Sequence, residues 1–560
     1  MANESTETVN VTINGVAVAV PKGVPIIEAA EQVGVGIAHY CYHPSLSAPA
    51  MCRMCLVEVK GAPKLVPACV TTVAEGQVIE TESARAREAR TGTLEFYLLN
   101  HPLDCPICDK SGECKLQDYT HAEGRKHGRS VEPKRVNGQD DFGGDILYDG
   151  DRCIMCTRCV RYMREIAGED RLCVVQRGHR SVIDTFFEDG LEGSLWAGNI
   201  VDICPVGALL SKDFLHKARV WDLDNRPSIC PNCAQGCNIK LDTRDNLVMR
   251  VRPRLNPQVN SYWICDYGRH NYEWLNQPGR VHTPLVRNTD GTLAPVNWQQ
   301  ALLQLLPRLR ERSGPLLVIG SPMLGNEDNG LLARLARVLG GGELLFRSAQ
   351  AAEELVCPGF PSLARRRDLS ANGRGLVHFG FGRTGDAGGQ GGIPDVRGAT
   401  VIVLGDALED LPASFAADAA LLVVFGQRLS PATSVAQFVL PICTFAEQEG
   451  TFTNLQGRVQ RFWPALQPPP LARPAWQVLS ALLAGLDDGQ PANTAGAAFL
   501  RIGELYPEYA GLSYEQLGPL GALMNEPVEL PAAGGGDFTP AGSRLGAAHS
   551  DTQAPTGKGG

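Results

Sequence analysis

The sequence contains no run of 18 or more apolar residues, so it predicts no membrane-spanning helix. Its first nine residues are polar and lack the apolar core of a signal peptide, which disfavours a secreted, disulfide-stapled protein. Positive charge is not in excess either, and the net charge of −9 argues against nucleic acid as a partner. Cysteine is abundant instead, and 16 of the 18 cysteines lie before residue 266. Clustered cysteine in a reducing compartment indicates metal binding. At 560 residues the chain is too long for one compact core, and three to five domains are expected.

The most informative stretch runs from Cys153 to Cys204. Three cysteines separated by two residues on one loop can each reach a different iron of a cubane cluster, and a later Cys-Pro supplies the fourth ligand. The surviving ligands would hold one [4Fe–4S] centre: Cys153, Cys156, Cys159 and Cys204. The other ligand positions of a two-cluster ferredoxin are occupied by Met163, Ser194, Ala197 and Ile200. We interpret residues 141–225 as a two-cluster ferredoxin reduced to one cluster.

The N-terminal region, residues 1–85, is predicted to be a small ferredoxin-like domain. Alternating apolar residues flank Asn14-Gly15, which predicts a hairpin, and a short helix over 25–33 and a strand over 56–59 follow. Four cysteines on the intervening loops suit a [2Fe–2S] cluster, although their spacing is not that of plant-type ferredoxins. Structural zinc is the alternative for four cysteines. The candidate ligands are Cys41, Cys52, Cys55 and Cys69.

Residues 86–140 contain three further cysteines preceded by a histidine. Three thiolates cannot complete a cubane, but an imidazole nitrogen can replace a thiolate, as in Rieske centres. The alternative is a helix-terminal histidine with the fourth ligand elsewhere. We favour a [4Fe–4S] cluster on His101, Cys105, Cys108 and Cys114. The segment from 115 to 150 is polar and is predicted to be loop.

Residues 226–285 carry a fourth set of cysteines, a triplet followed by a distant fourth residue. This spacing suits a cubane better than a zinc ribbon, with zinc again the alternative. The candidate ligands are Cys230, Cys233, Cys237 and Cys265. The three remaining cysteines are predicted to be buried, inert thiols: Cys173, Cys357 and Cys443.

The second half, residues 286–527, predicts an α/β domain with a parallel sheet. Helical stripes at 298–309, 329–339 and 476–486 alternate with apolar strands at 315–320, 399–404 and 421–425. Gly380 to Gly385 matches G-x-G-x-x-G after a possible strand at 376–379. The Gly-rich residues 386–392 that follow are unsuited to opening the helix that a dinucleotide site needs, so we reject that fingerprint. Residues 528–560 are predicted to be disordered.

This succession of sites resembles the large iron–sulfur subunit of respiratory NADH–quinone oxidoreductase (complex I). The resemblance rests on the first cysteine set, the His-x3-Cys-x2-Cys-x5-Cys block followed by Lys115-Leu116-Gln117-Asp118, and the single-cluster ferredoxin. The fourth set and the α/β half resemble molybdopterin-dependent oxidoreductases such as formate dehydrogenase. The segment between Leu440 and Gln460 looks like the loop that contacts the pterin in those enzymes.

The resemblance implies an N-terminal β-grasp [2Fe–2S] domain, [4Fe–4S] ferredoxin-like domains and a truncated molybdopterin-oxidoreductase-like domain without molybdenum. It implies one [2Fe–2S] and three [4Fe–4S] clusters, the last one off the main electron path. A flavin subunit that oxidises NADH and quinone-side iron–sulfur subunits are the implied partners. The implied location is the peripheral arm of a membrane complex, on the cytoplasmic side of the bacterial membrane. No complete substrate site is expected within this chain.

Two other functions compete with this one. A molybdenum or tungsten formate dehydrogenase would need a metal-binding residue, and the context of Cys357 lacks the following histidine expected near the catalytic residue. After Pro464 only one helical stretch is predicted, so the domain that closes over the pterins is expected to be missing. A hydrogenase or its diaphorase partner shares the layout up to about residue 225, but an iron-only hydrogenase needs more cysteines after 265 than Cys357 and Cys443.

Overall fold

The computed structural model describes residues 7–386, 395–405 and 407–525. The predicted disordered tail and most of the Gly-rich segment at 386–392 lie outside these ranges. Across the part of the chain that is described, no helix combines the length and apolarity needed to cross a bilayer.

The N-terminal domain is a small mixed sheet covered by one helix, as expected for a β-grasp ferredoxin-like domain. Its elements are β1 (Thr8–Ile13), β2 (Val16–Pro21), α1 (Ile26–Gln32), β3 (Leu56–Val59), β4 (Val66–Pro67) and β5 (Val78–Glu80). The strand order is β2-β1-β5-β3-β4, with β1 and β5 parallel. Asn14 and Gly15 have φ of 48° and 82°, which is the left-handed pair that a type I′ hairpin turn requires. The predicted hairpin is confirmed.

Two helices frame the second cysteine set. They are α2 (Ala84–Asn100) and α3 (Lys115–Glu123). The prediction of loop over 115–150 was therefore wrong in part, because α3 and two strands of the next domain lie within it. Helix α3 forms because Leu116 is buried in the shared core and Tyr119 packs against that core beside Tyr40. These tertiary contacts outweigh the polar local sequence.

The ferredoxin remnant consists of short elements around the third cysteine set. They are β6 (Gln139–Asp141), β7 (Ile146–Asp149), α4 (Arg158–Tyr162), β8 (Cys173–Val175), β9 (Val182–Asp184), α5 (Asn199–Ile203) and β10 (Leu209–Ser211). Helix α4 continues as a π-helical turn over Met163–Ala167. Met163, Ala197 and Ile200 are buried in one apolar core with Tyr162 and Trp263. Side chains therefore fill the region that a second cluster would need.

The fourth cysteine set lies on a three-stranded antiparallel sheet and a short helix. The elements are β11 (Asp224–Ile229), β12 (Asn238–Arg244), β13 (Leu247–Pro253), α6 (Asp266–His270) and α7 (Glu273–Asn276). The first three cysteines occupy the β11–β12 connection, and the fourth caps α6. Cys230 N donates to Cys237 O at 2.8 Å, which closes the loop on itself.

The second half is built on an eight-stranded sheet. Its strands are β14 (Leu285–Arg287), β15 (Leu293–Pro295), β16 (Leu316–Gly320), β17 (Glu343–Ser348), β20 (Gly382–Asp386), β21 (Thr400–Leu404), β22 (Leu421–Gly426) and β23 (Phe438–Pro441); two short strands, β18 (Leu355–Val356) and β19 (Ala364–Arg365), form a separate hairpin. The parallel strands run in the order β20-β17-β16-β21-β22-β23, which is the 3-2-1-4-5-6 order of a doubly wound sheet. This confirms the α/β prediction, to which β14 and β15 add an antiparallel edge.

Helices cover the sheet, and a small second sheet lies beside them. These elements are α8 (Trp298–Arg310), α9 (Asn326–Val338), α10 (Gly373–His378), α11 (Ala475–Gly485), α12 (Ala495–Leu505), α13 (Tyr514–Leu517), β24 (Gly450–Thr453), β25 (Arg458–Phe462) and β26 (Ala522–Leu523). Two predictions were wrong: the possible strand at 376–379 lies in α10 and the residue that ends it, and α12 and α13 follow α11. Helix α12 forms because Ala498, Phe499 and Ile502 pack against α9 in the main core.

Candidate iron–sulfur centres

The four sulfurs of the first set are buried and joined pairwise by hydrogen bonds, Cys41 with Cys52 and Cys69, and Cys69 with Cys55. Cys52 and Cys69 donate hydrogen bonds toward the Cys41 sulfur, which holds the pKa of Cys41 far below its usual value. The same contacts, together with burial, raise the pKa of Cys52 and Cys69. Four thiolates this close repel one another, so all four can be ionised together only around a cation. The donor set therefore fits a [2Fe–2S] cluster.

The second set lies at the end of α2. His101 follows that helix directly, and its Nδ1 is buried without a hydrogen-bond partner. Burial, reinforced by the charges of Lys134 and Arg152, lowers the pKa of His101 to about 4. The imidazole is therefore neutral near pH 7, which is the form that binds metal. The orphaned nitrogen fits a ligand role.

The three sulfurs of the second set differ in exposure. Cys108 and Cys114 are buried, and burial raises the pKa of both thiols, whereas Cys105 is exposed. A Cβ placed on Gly207 would overlap the Cys108 sulfur. The Arg152 guanidinium binds Asp104 Oδ2 at 3.1 Å, and its charge acts on both His101 and Cys108. A set with one exposed sulfur and an orphaned imidazole fits a cluster near the surface.

The third set surrounds a single cavity. All four of its cysteines line that cavity with apolar side chains, and the hydroxyl of Tyr148 is buried beside them. Met155 and Thr157 adopt left-handed φ of 53° and 58°, and Met155 N lies 3.4 Å from the Cys153 sulfur. Such a backbone turns its N–H groups toward an anionic group, as at other Fe–S sites. Burial raises the pKa of Cys153 to about 11, so its ionisation needs a bound cation.

All four cysteines of the fourth set are buried. Burial comes first, and mutual repulsion second, among the causes that raise the pKa of Cys230, Cys237 and Cys265. A Cβ on Gly268 would lie 3.0 Å from the Cys230 sulfur and 3.6 Å from the Cys265 sulfur, so glycine leaves the room that both sulfurs occupy. Gly268 N also lies 3.4 Å from the Cys265 sulfur. These features fit a closed [4Fe–4S] site.

The third set lies beside each of the other three. Arg158 donates to the carbonyls of Tyr42 and Ile203, which are neighbours of Cys41 and Cys204. Lys115 N donates to Pro205 O at 2.9 Å, which joins the second set to the third. The fourth set is joined through Asn199, whose Nδ2 donates to Ile264 O at 2.7 Å.

Within the described residues, no three or more histidine, cysteine, aspartate or glutamate side chains converge closely enough to hold one metal ion. Ligands of a single zinc bind it at about 2.3 Å, whereas cluster ligands surround several irons.

Of the three other cysteines, Cys357 and Cys443 are buried as predicted, but Cys173 is only half-buried because β8 lies in an isolated two-stranded ribbon. The sequence did not single out four residues that contact the ligand sets: Arg158, Arg161, Tyr148 and Gly207. A local signal existed for two of them, since Arg158 lies within the Cys-x2-Cys-x2-Cys motif and Gly207 follows shortly after Cys204-Pro205.

Five family profiles match this chain. They are described as a 2Fe–2S iron–sulfur cluster binding domain (residues 6–84), the NADH-ubiquinone oxidoreductase-G iron–sulfur binding region (90–129), the ferredoxin-like domain of NADH-quinone oxidoreductase subunit 3 (143–210), the 4Fe–4S domain of NADH-ubiquinone oxidoreductase NDSU1/NuoG-like proteins (227–273) and molybdopterin oxidoreductase (408–484). The four sets of candidate ligands fall within the first four matched ranges.

Curated relatives agree with these profiles. The G subunit of the NADH-quinone oxidoreductase of Streptomyces coelicolor is 37% identical over 383 residues, which cover 68% of this chain and 45% of that protein. The mitochondrial NADH dehydrogenase [ubiquinone] iron–sulfur protein 1 of Solanum tuberosum is 44% identical over 296 residues, covering 53% and 40%. The NADH-ubiquinone oxidoreductase 75 kDa subunit of Reclinomonas americana is 40% identical over 345 residues, covering 61% and 49%.

The alignments cover less than half the length of each of these relatives. A solved structure of an NAD⁺-reducing [NiFe]-hydrogenase is 28% identical and covers 38% of this chain and 91% of that one, but its TM-score of 0.35 is too low to support an argument. The curated relatives and the family profiles agree with one another, and the chain is a homologue of the G subunit of NADH-quinone oxidoreductases and of the NADH-ubiquinone oxidoreductase 75 kDa subunit.

Proposed function

We propose that this chain is the electron-transfer subunit of a proton-pumping NADH–quinone oxidoreductase, carrying electrons from a flavin subunit toward quinone. The observation that carries the proposal is the packing of four ligand sets in one continuous body, with the third set beside the other three. When bound, each cluster supplies a one-electron redox centre. The chain's own residues hold, space and insulate these centres, and no complete substrate site is proposed within it.

The proposed cofactors are one [2Fe–2S] cluster on the first set and a [4Fe–4S] cluster on each of the other three. The second set uses His101 as a ligand, and the neutral imidazole removes one negative charge from that centre. The cluster of the fourth set is proposed to lie off the main route, as the resemblance implies. Zinc is the competing occupant at the first and fourth sets.

We propose that a quinone-side iron–sulfur subunit docks beside the second set. Cys105 is exposed there, and three large apolar side chains nearby are exposed as well: Leu103 is 86% exposed, Ile107 62% and Trp221 64%. Trp221 packs beside Gly112, which lies between Cys108 and Cys114 of the second set. An apolar surface next to an exposed ligand would leave the centre open to water unless a partner covers it. The complex is proposed to lie on the cytoplasmic side of the membrane, in its peripheral arm.

We propose further that the α/β half packs against partners without binding molybdenum. The segment resembling the pterin loop contacts the fourth set directly: Asn454 Nδ2 donates to Gln235 O at 3.2 Å, and Asn238 Nδ2 donates to Gln460 Oε1 at 2.6 Å. Leu455 N donates to Ala234 O at 2.8 Å. These groups are paired with one another within the protein, so a pterin that used them would have to displace these contacts.

Metal analysis of the purified chain tests these proposals. One [2Fe–2S] and three [4Fe–4S] clusters require about 14 iron atoms per chain, with matching acid-labile sulfide. Cys156→Ser should lower the iron content by about 4 per chain, because the third centre loses a ligand. Cys173→Ser, a half-buried cysteine outside every set, is the matched control and should change nothing. Zinc in place of iron would refute the cluster assignment, and molybdenum near one per chain would favour a formate dehydrogenase.

A further inference from the structure

Arg161 connects the first and third ligand sets through hydrogen bonds to their backbones. Its Nη2 donates to Cys41 O at 2.5 Å and more weakly to Cys156 O at 3.4 Å. Its Nη1 donates to the carbonyl of Ser47. The two cysteine carbonyls belong to candidate ligands of different sets, so one guanidinium group spans the boundary between the two sites.

A second arginine on α4 reinforces this bridge. Arg158 is buried, and its guanidinium donates to the carbonyls of Ile203 and Tyr42. Glu165, one turn further along, accepts hydrogen bonds from the backbone N and the hydroxyl of Ser47 at 2.8 and 2.5 Å. The loop from Cys41 to Ser47 is therefore fastened to α4 and to the turn that follows it.

The chemistry of these contacts leaves positive charge between the sets. The hydrogen-bond acceptors of the two guanidinium groups are main-chain carbonyls and, for Arg161 Nε, the Thr157 hydroxyl. A carbonyl orients a guanidinium without cancelling its charge. Glu165, which accepts from Ser47, brings one negative charge nearby, so the two guanidinium groups leave a net positive charge between the sets. Arginine also remains protonated at every physiological pH. Reducing a cluster adds negative charge, which a nearby cation stabilises.

We propose that Arg161 is a positioning residue that sets the spacing of the first and third cluster sites and raises the reduction potential of both. The proposal rests on the electron-transfer function given above. Arg161 itself is neither oxidised nor reduced. Its effect comes from two sources that can be separated: the hydrogen bonds that hold the two backbones together, and the charge that acts on both centres.

The test uses the full-length chain with its clusters, in a redox titration followed by electron paramagnetic resonance. In Arg161→Met we expect the redox equilibrium constants of the first and third centres to fall at least about tenfold, or ~59 mV for one electron, toward lower potential. The second and fourth centres should keep their potentials. Arg161→Lys retains the charge and should restore both potentials most of the way. Arg164→Met is the matched control, because Arg164 is exposed and pairs with Asp170 on the surface.

The outcomes separate this inference from the proposed function. Unsubstituted chain without iron at the first and third sets contradicts the proposed function itself. Normal iron with unchanged potentials in Arg161→Met overturns the role of Arg161. Equal shifts at all four centres would mean general loosening and would overturn it as well. A lysine variant that behaves like the methionine variant would overturn the contribution of charge. If Arg161→Met fails to assemble, the lysine variant decides.

Discussion

Gly207 provides a sharp test of the second site, because it leaves the space that the Cys108 sulfur occupies. A Cβ at this position would come closer to that sulfur than 3.0 Å and would lie 3.2 Å from Lys110 Cβ. Favourable contacts between such atoms begin near 3.5 Å, so Gly207→Ala must displace the sulfur by at least about 0.5 Å. Ligand distances at a metal site tolerate only about 0.2 Å. The displacement exceeds the tolerance, so the second cluster should lose a ligand.

The expected result is a selective loss in Gly207→Ala. Iron content should fall by about 4 atoms per chain, and the signal of the His101 centre should disappear while the first and fourth centres remain. Overpacking of this kind costs about 1–3 kcal/mol, which a domain of this size survives. Gly92→Ala is the control, because nothing lies within 4 Å of its Cβ position and alanine favours the surrounding α2 helix. A Gly207→Ala chain with full iron and an unaltered second centre would refute the placement of Cys108.

Three further predictions concern a ligand, a hydroxyl group beside a ligand and a buried carboxyl group. His101→Cys should keep the second cluster at a lower potential and His101→Ala should impair it, as redox titration would show; an unchanged spectrum in both would exclude the histidine ligand. Tyr148→Phe should lower the potential of the third centre alone, because its buried hydroxyl stabilises the Cys153 thiolate. Burial raises the pKa of Glu327 to about 8, so the folded state binds a proton that the unfolded state releases. Stability of the α/β half should therefore fall by up to ~5 kcal/mol between about pH 5 and 8, and Glu327→Gln should flatten this slope in denaturant titrations.

The candidate ligands were accessible from sequence because a cysteine loop encodes its cluster locally. Spacing of two residues places sulfurs on one turn, and no tertiary contact is needed to recognise it. The bridging residues were not accessible in the same way, because the role of Arg161 depends on Cys41, which only the fold brings near. Gly207 illustrates the same limit, since its requirement for glycine comes from the Cys108 sulfur.

The secondary-structure predictions divide in the same way, into features encoded by the local sequence and features that depend on tertiary contacts. The hairpin at Asn14-Gly15 and the amphipathic helix α8 were predicted because turn chemistry and apolar periodicity are properties of the local chain. Helix α3 was missed because its stabilising contacts, Leu116 and Tyr119, belong to a core assembled from several domains. Helix α12 was missed because its alanine- and glycine-rich start resembles a linker until α9 covers it.

The crevice of the doubly wound sheet bears on the proposal that the α/β half binds no molybdopterin. In such sheets the phosphates of a ligand lie at the N-terminus of the helix after the first strand, at the switch point between strands 1 and 4. That helix is α9, and its first turn carries the buried carboxylates of Glu327 and Asp328.

These two acids bind backbone N–H groups of α9's N-cap, of β24 and of α11. Asp328 Oδ2 accepts from Gly325 N at 2.9 Å and Asp328 Oδ1 from Trp476 N at 2.8 Å, while Glu327 Oε2 accepts from Thr451 N at 3.0 Å. At the switch point itself, a Cβ on Gly405 would lie 2.8 Å from Ser321 Oγ, so the ends of the two central strands are in contact. A phosphate there would meet the buried acids Glu327 and Asp328 and a Gly325 N–H that is already bonded to Asp328. Internal acids thus hold β24, α11 and α9 together at the position where doubly wound sheets bind their ligand, which supports the proposal that this half serves in packing.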